Sequence, residues 1–303
     1  MRHKKVQDFS FHHLIRGIIL IGFMLLLFKL LLTNNISLFI APKMIRFIYF
    51  TLFICLILGV LLIIRGTSGN DESYHCDCDG DHTYPSSFLK SVFLYLVFII
   101  PITTGFLFSN NVLGSSVAVN RTIKLGASTQ PPYQNKTLNN SPNLQSSPNP
   151  STNSQSVLDH QPEPLTQNEY DALKNKILKA NSINIDDNQY VNIMNIIQEN
   201  LNAMIGKTVT TKGFVYREKE LMQNQIIVAR FGITCCVADA SVYGMMAKGD
   251  VAALPRDKWV QVTGKIEKTQ FNGDTIPIIK IDHLLKIAPP QQPYVFDVGV
   301  KIE

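Results

Sequence analysis

The sequence predicts an α-helical membrane region with three spans, followed by a small, mainly β C-terminal domain, an OB-like barrel with flanking helices. Apolar residues are concentrated in the first third of the chain, a polar stretch rich in Asn, Ser and Pro follows, and short alternating segments dominate the last third. Charged residues make up only 17% of the 303 residues and hydrophobic residues 46%, which is little charge for a soluble globular chain. The net charge of +5 comes partly from the flanks of the apolar segments, so it does not indicate a nucleic-acid partner.

Three apolar segments, at residues 14–40, 45–64 and 88–108, define a transmembrane region over residues 1–113. A helix of roughly 20 residues crosses the ~30 Å hydrocarbon layer of a lipid bilayer. Lys29 lies near one end of the first segment, where its amine can reach the interface. No small-residue cleavage motif separates the first two segments, so we do not expect a signal peptide.

The basic residues beside these segments predict that the N-terminus is cytoplasmic. Six lie on the side of the N-terminus and four on the other side: Arg2, Lys4, Lys5, Arg16, Arg65 and Lys90, against Lys43, Arg46, Arg121 and Lys124. Cytoplasmic loops carry an excess of basic residues. We therefore expect a multi-pass protein of the cell membrane whose C-terminal domain is extracytoplasmic.

Residues 114–165 predict a disordered linker, because they contain almost no large apolar side chain that could form a core. Order is expected to resume in the C-terminal domain, residues 166–303. Thr166 and Glu169 match a capping box at the start of a helix. A second helix fits residues 187–201, with Asp186 or Asp187 as its cap.

Short alternating segments predict the strands of a barrel or a sandwich. They cover residues 208–216, 225–231, 233–237 and 259–267, and residues 275–287 predict a last pair of strands. Gly213 and Gly264 interrupt their strands, as at bulges or tight bends. Residues 241–254 occupy the place where an OB-like barrel often inserts a helix.

The loop between the second and third apolar segments contains a candidate metal site. His75, Cys76, Cys78 and His82 are four potential ligands within eight residues, interleaved with Asp77, Asp79 and Asp81. Thiolates and imidazoles suit Zn²⁺ or another late transition metal. The spacing is not that of a standard zinc finger, and the alternative is a solvated acidic loop that holds cysteines.

Cys235 and Cys236 form a second cluster, within the sequence RFGITCCVADA at residues 230–240. Three interpretations are open: packing of free thiols, a thiol–metal or redox role, and a strained vicinal disulfide. If the pair lies in a strand, the two side chains point to opposite faces. Arg230 and Asp239 flank the pair, and a nearby cation would lower a thiol pKa.

The chain contains no motif that indicates catalysis. The sequence lacks a nucleophile elbow, a phosphate loop, a dinucleotide fingerprint and a His-Glu-x-x-His helix. We therefore expect that the protein is not an enzyme and has no catalytic residue. Redox motifs typically separate their cysteines by two residues, unlike Cys235 and Cys236. The strands also lack the interleaved aromatic and basic residues of single-strand binders, so we expect no nucleic acid.

The motifs of the chain resemble the YcgQ-like family of Gram-positive membrane proteins, which are described as one subunit of a two-component permease. The most specific is RFGITCCVADASVYGM at residues 230–245; GKTVTTKGFVYRE at 206–218, WVQVTGKIE at 259–267, IAPK at 40–43 and GSS at 114–116 are also similar. The resemblance implies an accessory subunit that partners a larger polytopic permease. Zinc-linked gene neighbourhoods of some relatives imply Zn²⁺ as the metal. The alternatives are a membrane-tethered ligand-binding module without a transport role, and a thiol redox protein.

Overall fold

The computed structural model describes residues 2–68, 88–108, 112–119, 121, 123–125, 164–218, 220–297 and 299–301. It contains two compact units, Met1–Val112 and Leu113–Glu303. The predicted loop site at His75, Cys76, Cys78 and His82 lies outside the described residues, as does most of the predicted linker.

Three helices form the first unit. They are α1 (Arg2–Leu32), α2 (Ile45–Thr67) and α3 (Phe88–Leu107), with short 3₁₀ helices at Asn35–Leu38 and Pro42–Met44 between the first two. Two apolar stretches, Phe11–Leu32 and Pro42–Thr67, are long enough to cross a membrane, and in their most apolar parts only 17% and 6% of the residues are buried. Core helices of soluble proteins bury far more, so these helices indicate membrane association. The apolar part of α3 that meets the same test, Ser91–Leu107, is shorter.

Glycines allow α1 and α2 to approach each other closely. A Cβ atom on Gly17 would lie 2.9 Å from the Gly59 carbonyl oxygen, and one on Gly59 would lie 2.7 Å from the Ile21 side chain. Small residues at a helix crossing are typical of packing within membranes. Helix α3 contacts α1 through polar groups: the Lys29 ammonium donates a hydrogen bond of 2.7 Å to the Phe106 carbonyl oxygen.

The described residues of the second unit form short helices and ten strands. The helices are α4 (Ser115–Ala118), α5 (Gln167–Lys179), a 3₁₀ helix (Asp187–Gln189), α6 (Tyr190–Glu199), α7 (Leu201–Met204) and a 3₁₀ helix (Val237–Asp239). The strands are β1 (Ile123–Lys124), β2 (Leu165–Thr166), β3 (Ser182–Asn184), β4 (Thr208–Tyr216), β5 (Gln225–Ile233), β6 (Ser241–Lys248), β7 (Trp259–Phe271), β8 (Asp274–Lys286), β9 (Tyr294–Phe296) and β10 (Val300–Lys301).

Both predicted helix starts are confirmed. The backbone N–H of Thr166 donates to the Glu169 carboxylate at 2.8 Å, and the N–H of Glu169 donates back to the Thr166 hydroxyl at 3.3 Å. These two bonds form the capping box at the start of α5. Asp186 caps the 3₁₀ turn that leads into α6 by accepting a hydrogen bond from the N–H of Asn188 at 3.4 Å.

Strands β4 to β8 close into a five-stranded barrel, which confirms the predicted small barrel. Its strands pair in the cyclic order β4, β5, β6, β8 and β7. The β6–β8 pair that completes the cycle is parallel, with Met246 opposite Ile278, while the other four pairs are antiparallel. Helix α6 buries its apolar face in the same core as the barrel interior, where Ile193 and Ile197 join Val228 and Val262.

The elements predicted between residues 233 and 254 are wrong. Strand β5 continues to Ile233 and residues 234–240 form a turn, so residues 233–237 are not the third strand. The third strand is β6, within residues 241–254 where we predicted a helix. Both faces of β6 are buried, so it lacks the alternation by which a half-buried strand is recognised. The barrel needs no helix at that point because α6 already packs against its core.

Residues 275–287 also form one strand, β8, and not the predicted pair. This strand forms a long hairpin with β7, whose turn residues Asn272 and Gly273 have φ angles of 51° and 89°. The bulge expected at Gly264 is confirmed by a register shift between Thr263 and Gly264. A Cβ atom on Gly264 would lie 2.0 Å from the Lys280 carbonyl oxygen, so the two strands can approach only if this residue is glycine.

Candidate thiol–carboxylate site

The turn between β5 and β6 is organised around the Asp239 carboxylate. Asp239 ends the 3₁₀ helix that Cys236 caps. The backbone N–H groups of Thr234, Cys235 and Cys236 all donate to this carboxylate, at 2.9, 2.7 and 3.1 Å. Successive N–H groups that converge in this way form a small anion-binding concavity. The negative side chain of Asp239 fills it and thereby fixes the backbone of both cysteines.

Both thiols lie on the same side of this turn. The Sγ atoms of Cys235 and Cys236 are 3.8 Å apart, and the Cys235 thiol donates a hydrogen bond of 2.6 Å to Asp239 Oδ2. Both cysteines are free; Cys235 is exposed and Cys236 is half-buried. The expectation that the two side chains point to opposite faces is wrong, because the pair lies in a turn and not in a strand.

The electrostatics of the turn keep Cys235 protonated. The hydrogen bond to Asp239, followed by the contact with Cys236, raises the pKa of Cys235 to about 11. Burial opposes ionisation of Asp239, but hydrogen bonds from the Cys235 thiol and the three backbone amides outweigh it, so the Asp239 pKa is lowered. At neutral pH the turn therefore holds a carboxylate beside a neutral Cys235 thiol.

Arg230 does not supply the cation that would favour a thiolate. Its side chain is completely buried, and its guanidinium forms an ion pair with Asp187 at 2.8 Å. It also donates to the carbonyl oxygens of Pro293 at 3.1 Å and Gln292 at 3.3 Å, and it lies 5.1 Å from the centre of the Trp259 ring. Arg230 thus links β5 to the α6 side of the domain, a structural role that the sequence motif did not reveal.

Two neighbouring segments hold the turn in place. Strand β1 pairs with the start of β6, and strand β9 pairs with the end of β5. The Arg121 guanidinium donates to the carbonyl oxygen of Ala238, inside the turn itself. The Tyr243 hydroxyl accepts from the Lys124 ammonium at 2.9 Å and donates to Asp297 at 2.7 Å.

The residues after the membrane helices take part in this arrangement. We call residues 113–119, 121 and 123–125 the connecting segment; they belong to the second unit, although the sequence places nearly all of them in the linker. The Ser115 N–H and hydroxyl donate to the two oxygens of Asp257 at 2.5 and 2.8 Å, and the Leu113 N–H donates to the Tyr294 hydroxyl at 2.9 Å. The only sequence signal for this order was the GSS motif at residues 114–116.

The aromatic side chains on the outer wall of the barrel are covered. Phe214, Phe231, Trp259 and Tyr294 are each no more than 7% exposed, and their rings pack against one another. Because base stacking needs an exposed ring face, these four residues cannot provide a nucleic-acid platform. Cys55 lies half-buried in α2.

Within the described residues, one group of His, Cys, Asp or Glu side chains could share a metal ion, namely Cys235, Cys236 and Asp239. Their ligand atoms all lie within 4.8 Å of one another. The predicted loop ligands cannot be compared, because they fall outside the described residues.

The fold and the site define a membrane-associated protein whose closed β-barrel carries a thiol–carboxylate turn. The chain belongs to the DUF1980 family: residues 15–124 match the DUF1980 N-terminal domain and residues 162–297 match the DUF1980 C-terminal domain. This result agrees with the resemblance to YcgQ-like proteins.

Two relatives extend the comparison. The chain is 25% identical over 297 residues to the UPF0703 protein YcgQ of Bacillus subtilis (strain 168), which covers 93% of this chain and 98% of that protein. It is 30% identical over 134 residues to a Streptococcus mutans protein with the provisional name of two-component membrane permease complex subunit. That match covers 44% of this chain and 49% of the relative. No solved structure matches the chain significantly.

Proposed function

We propose that this protein is the accessory subunit of a two-component membrane permease, anchored in the bilayer by α1, α2 and α3. The observation that carries this proposal is the combination of exposed apolar helices with a relative that is provisionally named as such a subunit. Three helices are too few to enclose a conduit for a solute. A second, polytopic subunit would supply the conduit, and this chain would dock against it through its helices.

The third span in this proposal is α3. Its 20 residues extend about 30 Å, the thickness of the hydrocarbon layer. Its contacts with α1 support a bundle: a Cβ atom on Gly105 would lie 2.8 Å from the Leu26 side chain, and one on Gly22 would lie 3.4 Å from Ile102. Large apolar side chains face outward from α2 and α3, among them Phe50, Phe53, Phe93 and Leu107. Lipid or the partner subunit would cover them.

With three spans and a cytoplasmic N-terminus, the barrel domain lies outside the cytoplasm. A five-stranded barrel with Greek-key strand order is the architecture of OB folds, which commonly bind ligands. In this arrangement the barrel presents the Cys235–Asp239 turn to the solute before the solute reaches the partner. The connecting segment is bonded both to Asp257, in the loop before β7, and to this turn.

Co-purification tests the proposal. The full-length chain, tagged at its C-terminus and expressed in its own organism, is extracted in mild detergent and its partners are identified by mass spectrometry. We expect one polytopic membrane protein in stoichiometric amount. Another membrane protein with a comparable tag serves as the control for non-specific capture. Recovery of the chain alone, in several mild detergents and after crosslinking in intact cells, would contradict the proposal.

A thiol oxidoreductase is the weaker alternative. An attacking cysteine needs a lowered pKa, whereas Asp239 raises the pKa of Cys235. We therefore propose a non-catalytic role. Replacement of either cysteine by serine, followed by an assay of the redox state of other cell-envelope thiols, should show no change.

A further inference from the structure

We propose that Cys235 and Cys236 together bind a thiophilic divalent cation of the Zn²⁺ class through their two sulfur atoms. The site goes beyond the proposed permease role and is argued from the geometry of the turn alone. Within the described residues, no other His, Cys, Asp or Glu side chains are close enough for three of them to share an ion.

The distance between the sulfur atoms fits a shared ion. Two sulfurs that each lie about 2.3 Å from one tetrahedral Zn²⁺ are about 3.8 Å apart. The Sγ atoms of Cys235 and Cys236 are 3.8 Å apart. A disulfide would need an S–S distance of about 2.05 Å, so the turn holds the thiols at the separation of metal ligands.

Hydrogen bonds fix the backbone conformation of the turn that carries the two sulfurs. Asp239 accepts hydrogen bonds from three consecutive N–H groups, including those of both cysteines. The Arg121 guanidinium also donates a hydrogen bond to the carbonyl oxygen of Ala238 in the turn. Fixed ligands lose little conformational freedom when an ion binds, so the affinity of a site with few ligands increases.

Asp239 is a positioning residue in this site. Its oxygens are occupied by the backbone amides, and Oδ2 lies 2.6 Å from the Cys235 sulfur, closer than the roughly 3.6 Å expected between two ligands of one Zn²⁺. Its charge nevertheless favours a cation at the adjacent sulfurs. When M²⁺ binds, two S–H bonds break, two M–S bonds form, and two protons pass to solvent, so no oxidant or reductant is required.

The site is open on one side. Cys235 is exposed, and two sulfur ligands leave two tetrahedral positions for water or for a donor from another protein. Structural zinc sites are closed by four protein ligands, whereas open sites exchange their remaining ligands. The geometry therefore fits an ion that is held transiently and passed on.

The experiment uses the full-length protein in detergent, reduced and freed of metal with a chelator. In a background with Cys55→Ser, Cys76→Ser and Cys78→Ser, the two cysteines of the turn are the only thiols. Co²⁺ is added as a spectroscopic probe, and Zn²⁺ is then titrated in competition. We expect a thiolate-to-cobalt charge-transfer band and one equivalent of Zn²⁺ per chain that displaces it.

Three further variants in this background complete the test. Cys235→Ser and Cys236→Ser should each abolish the charge-transfer band and weaken Zn²⁺ binding at least tenfold. Asp239→Asn should weaken binding 10- to 100-fold, as for residues that orient ligands, with the band shifted but still present. The Cys235→Ser/Cys236→Ser double variant has no thiol in this background, so unchanged Zn²⁺ affinity in it would overturn the proposal, as would absence of the charge-transfer band in the parent background.

The two proposals can fail separately. The Cys235→Ser variant should still co-purify with a polytopic partner, because the helices and not the turn form the docking surface. If the parent background shows no charge-transfer band but still co-purifies with a polytopic partner, the permease role stands and only the metal site falls. If the chain binds the ion but co-purifies with no partner, the proposed permease role is rejected and the metal site stands.

Discussion

Single residues decide how the barrel domain is held together, and Arg230 is the clearest example. Its charge is fully buried but has partners on every side, namely Asp187, two backbone carbonyl oxygens and the Trp259 ring. Removal of one member of a buried charged network leaves polar groups without partners. The same interactions explain why the arginine at the start of the RFGITCC motif does not act on the thiols.

Arg230→Met should destabilise the barrel domain by about 3 kcal/mol, because the interior carbonyl oxygens of Gln292 and Pro293 lose their donor. Urea denaturation followed by the fluorescence of Trp259, the only tryptophan in the chain, measures this domain selectively. Arg256→Met, at an exposed position, is the matched control and should change stability by less than about 0.5 kcal/mol. Equal effects of the two substitutions would contradict the role of Arg230.

Ionisation of the Tyr190 hydroxyl should lower the free energy of unfolding of the barrel domain at alkaline pH. Burial raises the pKa of Tyr190 from 10.0 to about 12, so the folded state holds this proton more tightly than the unfolded chain. The stability that the protonated Tyr190 contributes is fully present below pH 10 and is lost as the pH rises through 12. By pH 12 the free energy of unfolding should have fallen by about 2 kcal/mol for this reason. Tyr190→Phe should match the wild type at pH 8 and lose correspondingly less stability by pH 12. Parallel losses in the two proteins would show that Tyr190 does not titrate in this way.

At the scale of elements, the capping box sets the start of α5. Thr166→Ala removes the acceptor for the Glu169 N–H and should cost about 1 kcal/mol. Asn175→Ala, at an exposed position inside the same helix, is the control and should be neutral or slightly stabilising. Both are measured by urea denaturation with the Trp259 signal. A neutral Thr166→Ala would mean that the cap contributes nothing to domain stability.

The connecting segment is the second element with a testable role. Asp257 accepts both hydrogen bonds from Ser115, so Asp257→Ala should release the segment from the barrel wall. Trypsin cleavage after Arg121 and Lys124 should then become several-fold faster, measured by mass spectrometry of the fragments. The exposed residue Asp250 gives the control variant Asp250→Ala, which should be cleaved like the wild type. Unchanged cleavage in Asp257→Ala would show that this contact does not hold the segment.

For the whole molecule, the prediction concerns insertion and orientation. The full-length chain should remain in the membrane fraction after extraction with alkaline carbonate, because the apolar surface of its helices is too large to leave lipid. A single cysteine introduced at Ser182, in a variant without the native cysteines, should react with an impermeant maleimide in intact cells. The same cysteine placed at Asp8, in α1 before the apolar stretch that begins at Phe11, should react only after lysis. The reverse pattern would invert the topology, and a soluble product would exclude the anchor.

Much of this architecture could be predicted from the amino-acid sequence, since each correct prediction depended on local physical chemistry. Apolar length revealed the two long membrane-type helices, the pairing of Thr166 with Glu169 revealed the start of α5, and alternation revealed β4 and β7. The sequence also carries a signal for the Asn272–Gly273 turn, because Asn-Gly favours a two-residue hairpin turn, and this signal agrees with the β7–β8 hairpin. Strand β6 was not readable, because burial on both faces removed its alternation.

The geometry of the site could not be predicted, because it exists only in the folded chain. Sequence spacing cannot show that Asp239 turns back to bind three amides, that the sulfurs of Cys235 and Cys236 face the same side, or that Arg230 points away into the core. These facts depend on where β5 ends and on the contacts that β1 and β9 make with its neighbours. The pKa of the Cys235 thiol and the distance between the two sulfurs depend on how the turn folds back onto Asp239, and a residue distant in sequence, Arg121, helps to hold that turn.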